Sequence, residues 1–283
     1  MIIVKVWGGI GNQLFQYVFG QYLKYRYNQD VRYDDNSYIS TDKLRKSELG
    51  ALAGNIVYDN SCSFSKYRGV KNRLLRFAFQ LNPKNHYIEE GMTVPNEYKP
   101  DHTYFFQGYW QDYSYYEWLV KNVPGFSISS DMIPDEVNEY FESIKSVEES
   151  VSIHVRRGDY FLPQNIKKYG VCDEAYFNTA VELLEKEQTP QKYFVFSDDL
   201  DWVMKNLQLP LEKTVFVQNY DVAQFLYIEL MSLCRHHIIS NSSFSWWGAV
   251  LNAKEGAYVV CPARWTLDSD KTIALSNWLK IKL

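Results

Sequence analysis

Two adjacent guanidiniums, Arg156 and Arg157, end the apolar run Val151-Ser-Ile-His-Val155, and a glycine follows them at 158. Val151, Ile153 and Val155 alternate with Ser152, His154 and Arg156, the period of a strand whose successive side chains point to opposite faces. Arg156 and Arg157 therefore mark the strand's carboxyl end, the edge at which open α/β sheets hold their ligands. A guanidinium donates two hydrogen bonds from a fixed plane and never loses its charge, which suits a diphosphate. The competing reading is a surface ion pair with Asp159 or a nearby glutamate.

A second anion device has the form Asn241-Ser-Ser-Phe-Ser-Trp-Trp-Gly248, which follows an apolar strand and opens an apolar helix. Asn and Ser at such a junction can cap the helix, and the free N–H groups with the helix dipole favour an anion. Plain capping is the alternative. Two such devices on one sheet edge suggest a diphosphate. Phe196-Ser-Asp-Asp199 ends a third strand there, where a carboxylate can accept hydrogen bonds from a ribose or a base. Asp198 and Asp199 diverge as neighbours in the chain, which disfavours a paired-carboxylate hydrolase. Asp199-Leu-Asp201 and Asp268-Ser-Asp270 spell D-x-D, too short a pattern to assign a metal. Gly8-Gly-Ile-Gly11 departs from G-x-G-x-x-G and no phosphate-binding P-loop is present, so the glycines are read as letting backbone approach a ligand, with Asn12 and Gln13 adding polar contacts. A tight turn without a ligand is the alternative. The five histidines show no metal spacing. Only His154 shares a face with Arg156.

The elements that must position these groups alternate plainly in the second half. Strands are predicted over 151–156, 193–197, 214–217, 237–240 and 257–261, with helices over 175–187, 200–207, 222–233 and 244–251. Such alternation implies a doubly wound parallel sheet. The first half opens as a strand over 2–6, a glycine turn, and a helix whose stripe is Leu14, Phe15, Val18, Phe19, Tyr22 and Leu23. A strand over 104–107 leads to Gly108-Tyr-Trp-Gln-Asp112 and a helix over 113–120. Residues 32–100 are polar and poorly periodic, and few elements can be placed there. A transition rich in Pro, Gly and Ser, then an acidic helical run over 134–150, puts the boundary between two domains near 148.

With 283 residues, 46% of them hydrophobic, two cores are within reach. A net charge of −4 argues against a nucleic-acid surface, so any anion site is local. The four cysteines stand alone, which fits a reducing cytoplasm, and the amino terminus is too short an apolar run for a signal peptide or an anchor. Tyr and Trp, 23 and 8 residues, include candidates for stacking on sugar faces.

Gly8-Gly-Ile-Gly-Asn-Gln-Leu-Phe-Gln-Tyr17, Gly108-Tyr-Trp-Gln111, His154-Val-Arg-Arg-Gly-Asp-Tyr160, Phe196-Ser-Asp-Asp199, Glu229-Leu-Met-Ser-Leu-Cys234 and Ser240-Asn-Ser-Ser-Phe-Ser-Trp-Trp-Gly-Ala249 resemble, in order, the motifs of the α-1,2-fucosyltransferases of glycosyltransferase family 11. The resemblance implies a GT-B-like α/β fold: two Rossmann-like doubly wound domains facing across a cleft, 1–148 on the acceptor side and 149–283 holding GDP-β-L-fucose. It further implies inverting transfer of L-fucose to O2 of a galactose with no metal and no cofactor. Carried over, Arg156 grips the β-phosphate, His154 and Asp199 lie by the nucleoside, and Ser242, Ser243 and Ser245 line the phosphates. Arg157, Asp198, Asn241, Phe244, Gly9 and Gly11 complete the donor set. Asn12 approaches the reaction centre, Asp159 is a candidate base beside Asp112 and Glu117, and Tyr109, Trp110, Gln111 and Asp112 are acceptor candidates. The resemblance further implies, from the lack of the amino-terminal membrane anchor that the family's eukaryotic members carry, a cytoplasmic bacterial enzyme of surface-polysaccharide synthesis, at most peripheral to the inner membrane. The rival readings are fucosyl transfer to another position or to a protein hydroxyl, a non-catalytic glycan-binding protein, and a nucleotide-sugar hydrolase using Asp198 or Asp199.

Overall fold

Residues 1–42, 45–267 and 272–282 are described in the computed structural model, apart from the side chains of Ser40, Asp159 and Gln164. The chain forms two units, Met1–Asp131 and Met132–Leu283. The first runs β1 (Ile2–Lys5), α1 (Ile10–Tyr27), β2 (Val31–Asp34), α2 (Asn36–Ser40), α3 (Gly69–Gln80), β3 (Asn85–Glu89), β4 (Thr103–Gln107) and α4 (Tyr113–Asn122). Its strands are all parallel in the order β2-β1-β4-β3. Alternation along the strands fills both faces. Ile3 and Phe105 pack with Phe64, Leu75 and Phe79 on one side, whereas Phe106 meets Phe19 of α1 on the other.

The second unit runs α5 (Asp135–Lys145), β5 (Ser150–Val155), α6 (Pro163–Tyr169), α7 (Glu174–Glu187), β6 (Lys192–Ser197), α8 (Leu200–Asn206), β7 (Thr214–Phe216), α9 (Phe225–Leu233), β8 (His236–Ile238), α10 (Ser243–Val250), β9 (Val259–Pro262) and β10 (Leu279–Ile281). The sheet order β10-β9-β8-β5-β6-β7, parallel throughout, is that of dinucleotide-binding sheets, 3-2-1-4-5-6. Val151, Ile153 and Val155 pack under α7 and α8 with Phe177, Leu184 and Val203, and His154 on the opposite face meets Phe244 of α10. Both units are thus α/β sheets wound on two faces, the fold class expected.

The division falls at 131/132, not at 148. The reason is α5. Its buried Val137, Phe141 and Ile144 form an apolar stripe that packs on α9, so the helix belongs to the second core. Four elements of the first unit, β2, α2, α3 and β3, fall in the stretch where the sequence showed little period. The two strands are only four and five residues long, which leaves little alternation to read, whereas α3 does carry a helical period and was missed.

Candidate functional site

In the second unit the sheet order reverses between β5 and β8, which opens a crevice at the carboxyl ends of those two strands. Register then builds the site. Val155 lies opposite Ser197, so Arg156 and Arg157 leave β5 beside Asp198 and Asp199 leaving β6. Arg156 Nη1 is 2.9 Å from Asp198 Oδ2, and the Arg157 N–H donates to Asp198 Oδ1 at 2.8 Å. Arg157 Nε donates to Asp199 Oδ2 at 3.1 Å, while its guanidinium sits 3.7 Å from the Trp202 ring centre and 4.3 Å from that of Phe161. Asp199 also caps α8 by accepting from the Trp202 N–H at 3.1 Å. An ion pair at partial exposure contributes under about 1 kcal/mol, so its effect is orientation more than stability. Arg157 is clamped between rings at 15% side-chain exposure, whereas Arg156 keeps 33%. Arg156 is therefore the better placed of the two to meet an anion. Gly158 leaves room for the same packing: a Cβ there would stand 2.6 Å from Asp198 Oδ2, so the carboxylate that holds Arg156 would have to shift.

Across the crevice, α10 starts directly after β8. Ser242 caps it, accepting from the Phe244 N–H at 3.3 Å. Asn241 is buried and spent on the loop itself, its Nδ2 donating to the carbonyls of Tyr169 at 2.7 Å and Trp265 at 3.3 Å. Ser245 is buried too, and its hydroxyl bonds back to the Ser240 and Ser242 carbonyls. The expectation that the side chains of Asn241 and Ser245 line a ligand is corrected by these bonds; Ser242, Ser243 and Phe244 keep partial or marginal exposure at the helix start. Tyr160 ties the two loops together, its hydroxyl donating to the Asn241 carbonyl at 2.9 Å. His154 is a staple between strands: its Nδ1 lies 2.9 Å from Ser240 Oγ, and it is buried. Burial, then the neighbouring Arg156, push its pKa down to about 3, so the ring is neutral. Two residues earlier on that face, Ser152 Oγ and His237 Nδ1 repeat the pairing at 2.8 Å.

In the first unit β1 and β4 are neighbours at the centre of the sheet, and their exits carry the glycine loop and Gly108–Asp112. Gly8 has φ +84, a left-handed conformation that glycine adopts without strain, and Gly9 is the N-cap residue of α1. Gly11 is buried inside α1. Asn12 Oδ1 accepts from Gln111 Nε2 at 2.9 Å, which joins two of the expected site residues. Gln13 differs from expectation. It is fully buried, donating to the carbonyls of Gly8 and Lys46 and accepting from the Glu48 N–H, so it holds the loop and reaches no ligand. Trp110 is also corrected. Its ring stacks on Phe19 at 4.1 Å in the core, 4% exposed, and cannot be a sugar platform. Tyr109 is half-buried with its ring 5.0 Å from Trp7, an aromatic pair at the sheet edge. Asp112 caps α4 by accepting from the Ser114 N–H, and Glu117 pairs with Lys121 at 3.0 Å.

Glu90 escaped sequence reasoning. Its two carboxylate oxygens accept the N–H groups of Tyr109 at 2.7 Å and Trp110 at 3.0 Å. Tyr38, whose hydroxyl donates to the Gly8 carbonyl at 2.8 Å, and Gln16, which accepts from the Trp7 N–H, were missed as well. The one available signal was a pair of glutamines, Gln13 and Gln16, inside an apolar helical run. The Asp159 side chain and Asp268–Asp270 lie outside the described residues. Among the described residues no group of three His, Cys, Asp or Glu side chains is placed to hold a metal ion, and no helix is long and apolar enough to cross a membrane. A cleft of about 320 Å³ opens under α3 between Met1 and Thr103, at the amino ends of β1 and β4, away from the glycine loop.

The sequence model of Glycosyl transferase family 11 matches residues 68–282. An O-antigen biosynthesis glycosyltransferase, WbnK of Escherichia coli, is 28% identical over 97% of this chain and 98% of its own length. An α-1,2-colitosyltransferase of Escherichia coli is 27% identical over 94% and 92%. The galactoside α-(1,2)-fucosyltransferase 2 of Rattus norvegicus is 23% identical over 62% of this chain and 51% of its own. Among solved structures, the fucosyltransferase NodZ from Bradyrhizobium superposes with a TM-score of 0.52 at 12% identity, covering 88% of this chain and 92% of that one. Its likeness is one of fold.

Proposed function

The chain belongs to glycosyl transferase family 11, and from that premise we propose that it moves L-fucose from GDP-β-L-fucose to O2 of a terminal β-galactoside of a bacterial surface polysaccharide, inverting the anomeric centre without a metal ion. The observation that carries the donor half is the crevice of the second unit. The Arg156 guanidinium and the capped start of α10 follow two adjacent strands, β5 and β8, where the sheet order reverses. A diphosphate leaving group gathers negative charge as the C1–O bond breaks, and fixed donors aimed at that charge lower the barrier. Arg156 supplies the cation, Asp198 sets its plane, and the α10 N–H groups supply dipoles.

The acceptor half rests on relatives. A full-length relative serves O-antigen biosynthesis and others act at the 2-position of galactosides. Asn12 and Gln111, bonded to each other at a sheet exit, are the polar groups we assign to the acceptor side, with Tyr109 and Trp7 as stacking surfaces. In this reading the incoming hydroxyl attacks an oxocarbenium-like centre and gives up its proton late, to water, so little help from a base is needed. A second donor is favoured by one finding. The colitosyltransferase matches nearly the whole chain, and colitose is fucose without its 3-hydroxyl. A site built to bond that hydroxyl rejects the deoxy sugar strongly, whereas an apolar pocket discriminates weakly.

The test is mass spectrometry of products formed from GDP-fucose or GDP-colitose, in EDTA, with a panel of β-galactosides. A gain of one deoxyhexose on a galactose-terminated acceptor, mapped to O2, is the expected result. Gain only from GDP-colitose would reassign the donor. Loss of transfer in EDTA with recovery in Mg²⁺ would overturn metal independence. Release of free sugar in the absence of an acceptor, with no glycoside formed in its presence, would make the protein a hydrolase.

A further inference from the structure

We propose that the outer face of α3 is a docking surface for an anionic lipid bilayer. Val70, Leu74, Phe77 and Leu81 recur at i, i+4, i+7 and i+11, and a helix turning about 100° per residue stacks them in one stripe. All four point to solvent, 72%, 64%, 64% and 68% exposed. The opposite face already has its partner: Leu75 and Phe79 pack on Phe64, Tyr87 and Phe105, and Asn72 Nδ2 donates to the Phe64 carbonyl at 2.8 Å. The exposed stripe is thus no part of the core, yet it has the make-up of one.

Charge says what covers it. Between Asn60 and Ile88 the chain has six basic residues, Lys66, Arg68, Lys71, Arg73, Arg76 and Lys84, and no acidic one, in a protein whose net charge is −4. Arg76 turns inward, over the Tyr87 ring at 4.5 Å and toward Glu89. Arg68, Lys71, Arg73 and Lys84 are exposed. By helical angle Lys71 falls on one flank of the stripe and Arg73 on the other. A helix with an apolar ridge between rows of cations lies in the interface plane of a bilayer, its ridge among the acyl chains and its cations at anionic headgroups. A second copy fits the face badly, because pairing it with itself would oppose like charges.

The experiment is sedimentation of the full chain with vesicles of phosphatidylcholine alone or mixed with phosphatidylglycerol. Two double variants accompany the wild type, Leu74→Ser with Phe77→Ser and Lys71→Glu with Arg73→Glu. Their side chains are exposed, so an unchanged unfolding midpoint is expected to certify the fold. Binding should require phosphatidylglycerol, weaken with salt, and fall at least tenfold in each variant. Undiminished binding in both variants, or no binding of the wild type to anionic vesicles, would sink the proposal. So would light scattering that finds a wild-type dimer dispersed by the Leu74/Phe77 change, which would assign the face to a second copy. A variant whose midpoint drops is replaced by Leu74→Gln or Arg73→Gln alone, read in the same way.

Discussion

Arg156 reaches its position through a partner 42 residues further along the chain. Its bond to Asp198 fixes one edge of the guanidinium fork, and a flexible ammonium has no such fork to fix. Arg156→Lys should therefore lose about as much turnover as Arg156→Ala, on the order of 10² to 10³. Steady-state rates with saturating GDP-fucose decide it, and near-normal turnover in the lysine variant would refute bidentate contact. The buried histidines make a separate prediction. Burial pushes the pKa of both His154 and His237 down to about 3 from 6.5. Below about 6.5 the unfolded chain takes up protons at these rings and the folded chain does not, so both contributions to stability shrink as pH falls from 6.5 toward 3. Nitrogen chemical shifts should show neither ring titrating between pH 5 and 8. A midpoint near 6.5 for either would contradict its burial.

At the scale of elements, the site depends on loops held by side chains from elsewhere. Gly108 is enclosed so closely by the Glu90 side chain that a Cβ has no room, and Glu90 in turn carries the N–H groups of the next two residues. Gly108→Ala should cost about 1–3 kcal/mol by overpacking, and the displaced loop should raise KM for the acceptor while GDP affinity holds. Denaturant unfolding and calorimetric GDP binding read the two effects; an equal loss of GDP affinity would contradict the division of labour. Gly248 plays a comparable part between α9 and α10, where an added Cβ would stand 2.7 Å from Met231 Cβ. Gly248→Ala should destabilise by a similar amount, because α10 would be pushed off the helix it packs on. An unchanged denaturation midpoint would show that Met231 yields freely.

At the scale of the whole molecule, the proposed function gives the donor to the second sheet and the acceptor to the first. GDP at about a hundred times its Kd should stabilise the protein by about 2.7 kcal/mol. Hydrogen exchange should locate the added protection at the exits of β5 and β8 and the start of α10, and protection centred on the glycine loop would move the donor site. Much of this was legible in the sequence. Alternating apolar periods announced the second sheet, the Arg156 and Asn241–Ser245 segments lie at the carboxyl edge of that sheet as expected, and Gly8 and Gly9 announced the turn before α1, while Gly11 falls within the helix. These are local signals, carried by neighbours within one element. The tertiary structure alone decided that Arg156 faces Asp198, that Asn241, Ser245 and Gln13 brace loops, and that Trp110 is core. It also gave α5 to the second unit and left one apolar face of α3 in solvent. Each of those depends on strand order and register, which bring together residues far apart in the chain, and no local pattern records which partner a side chain will meet.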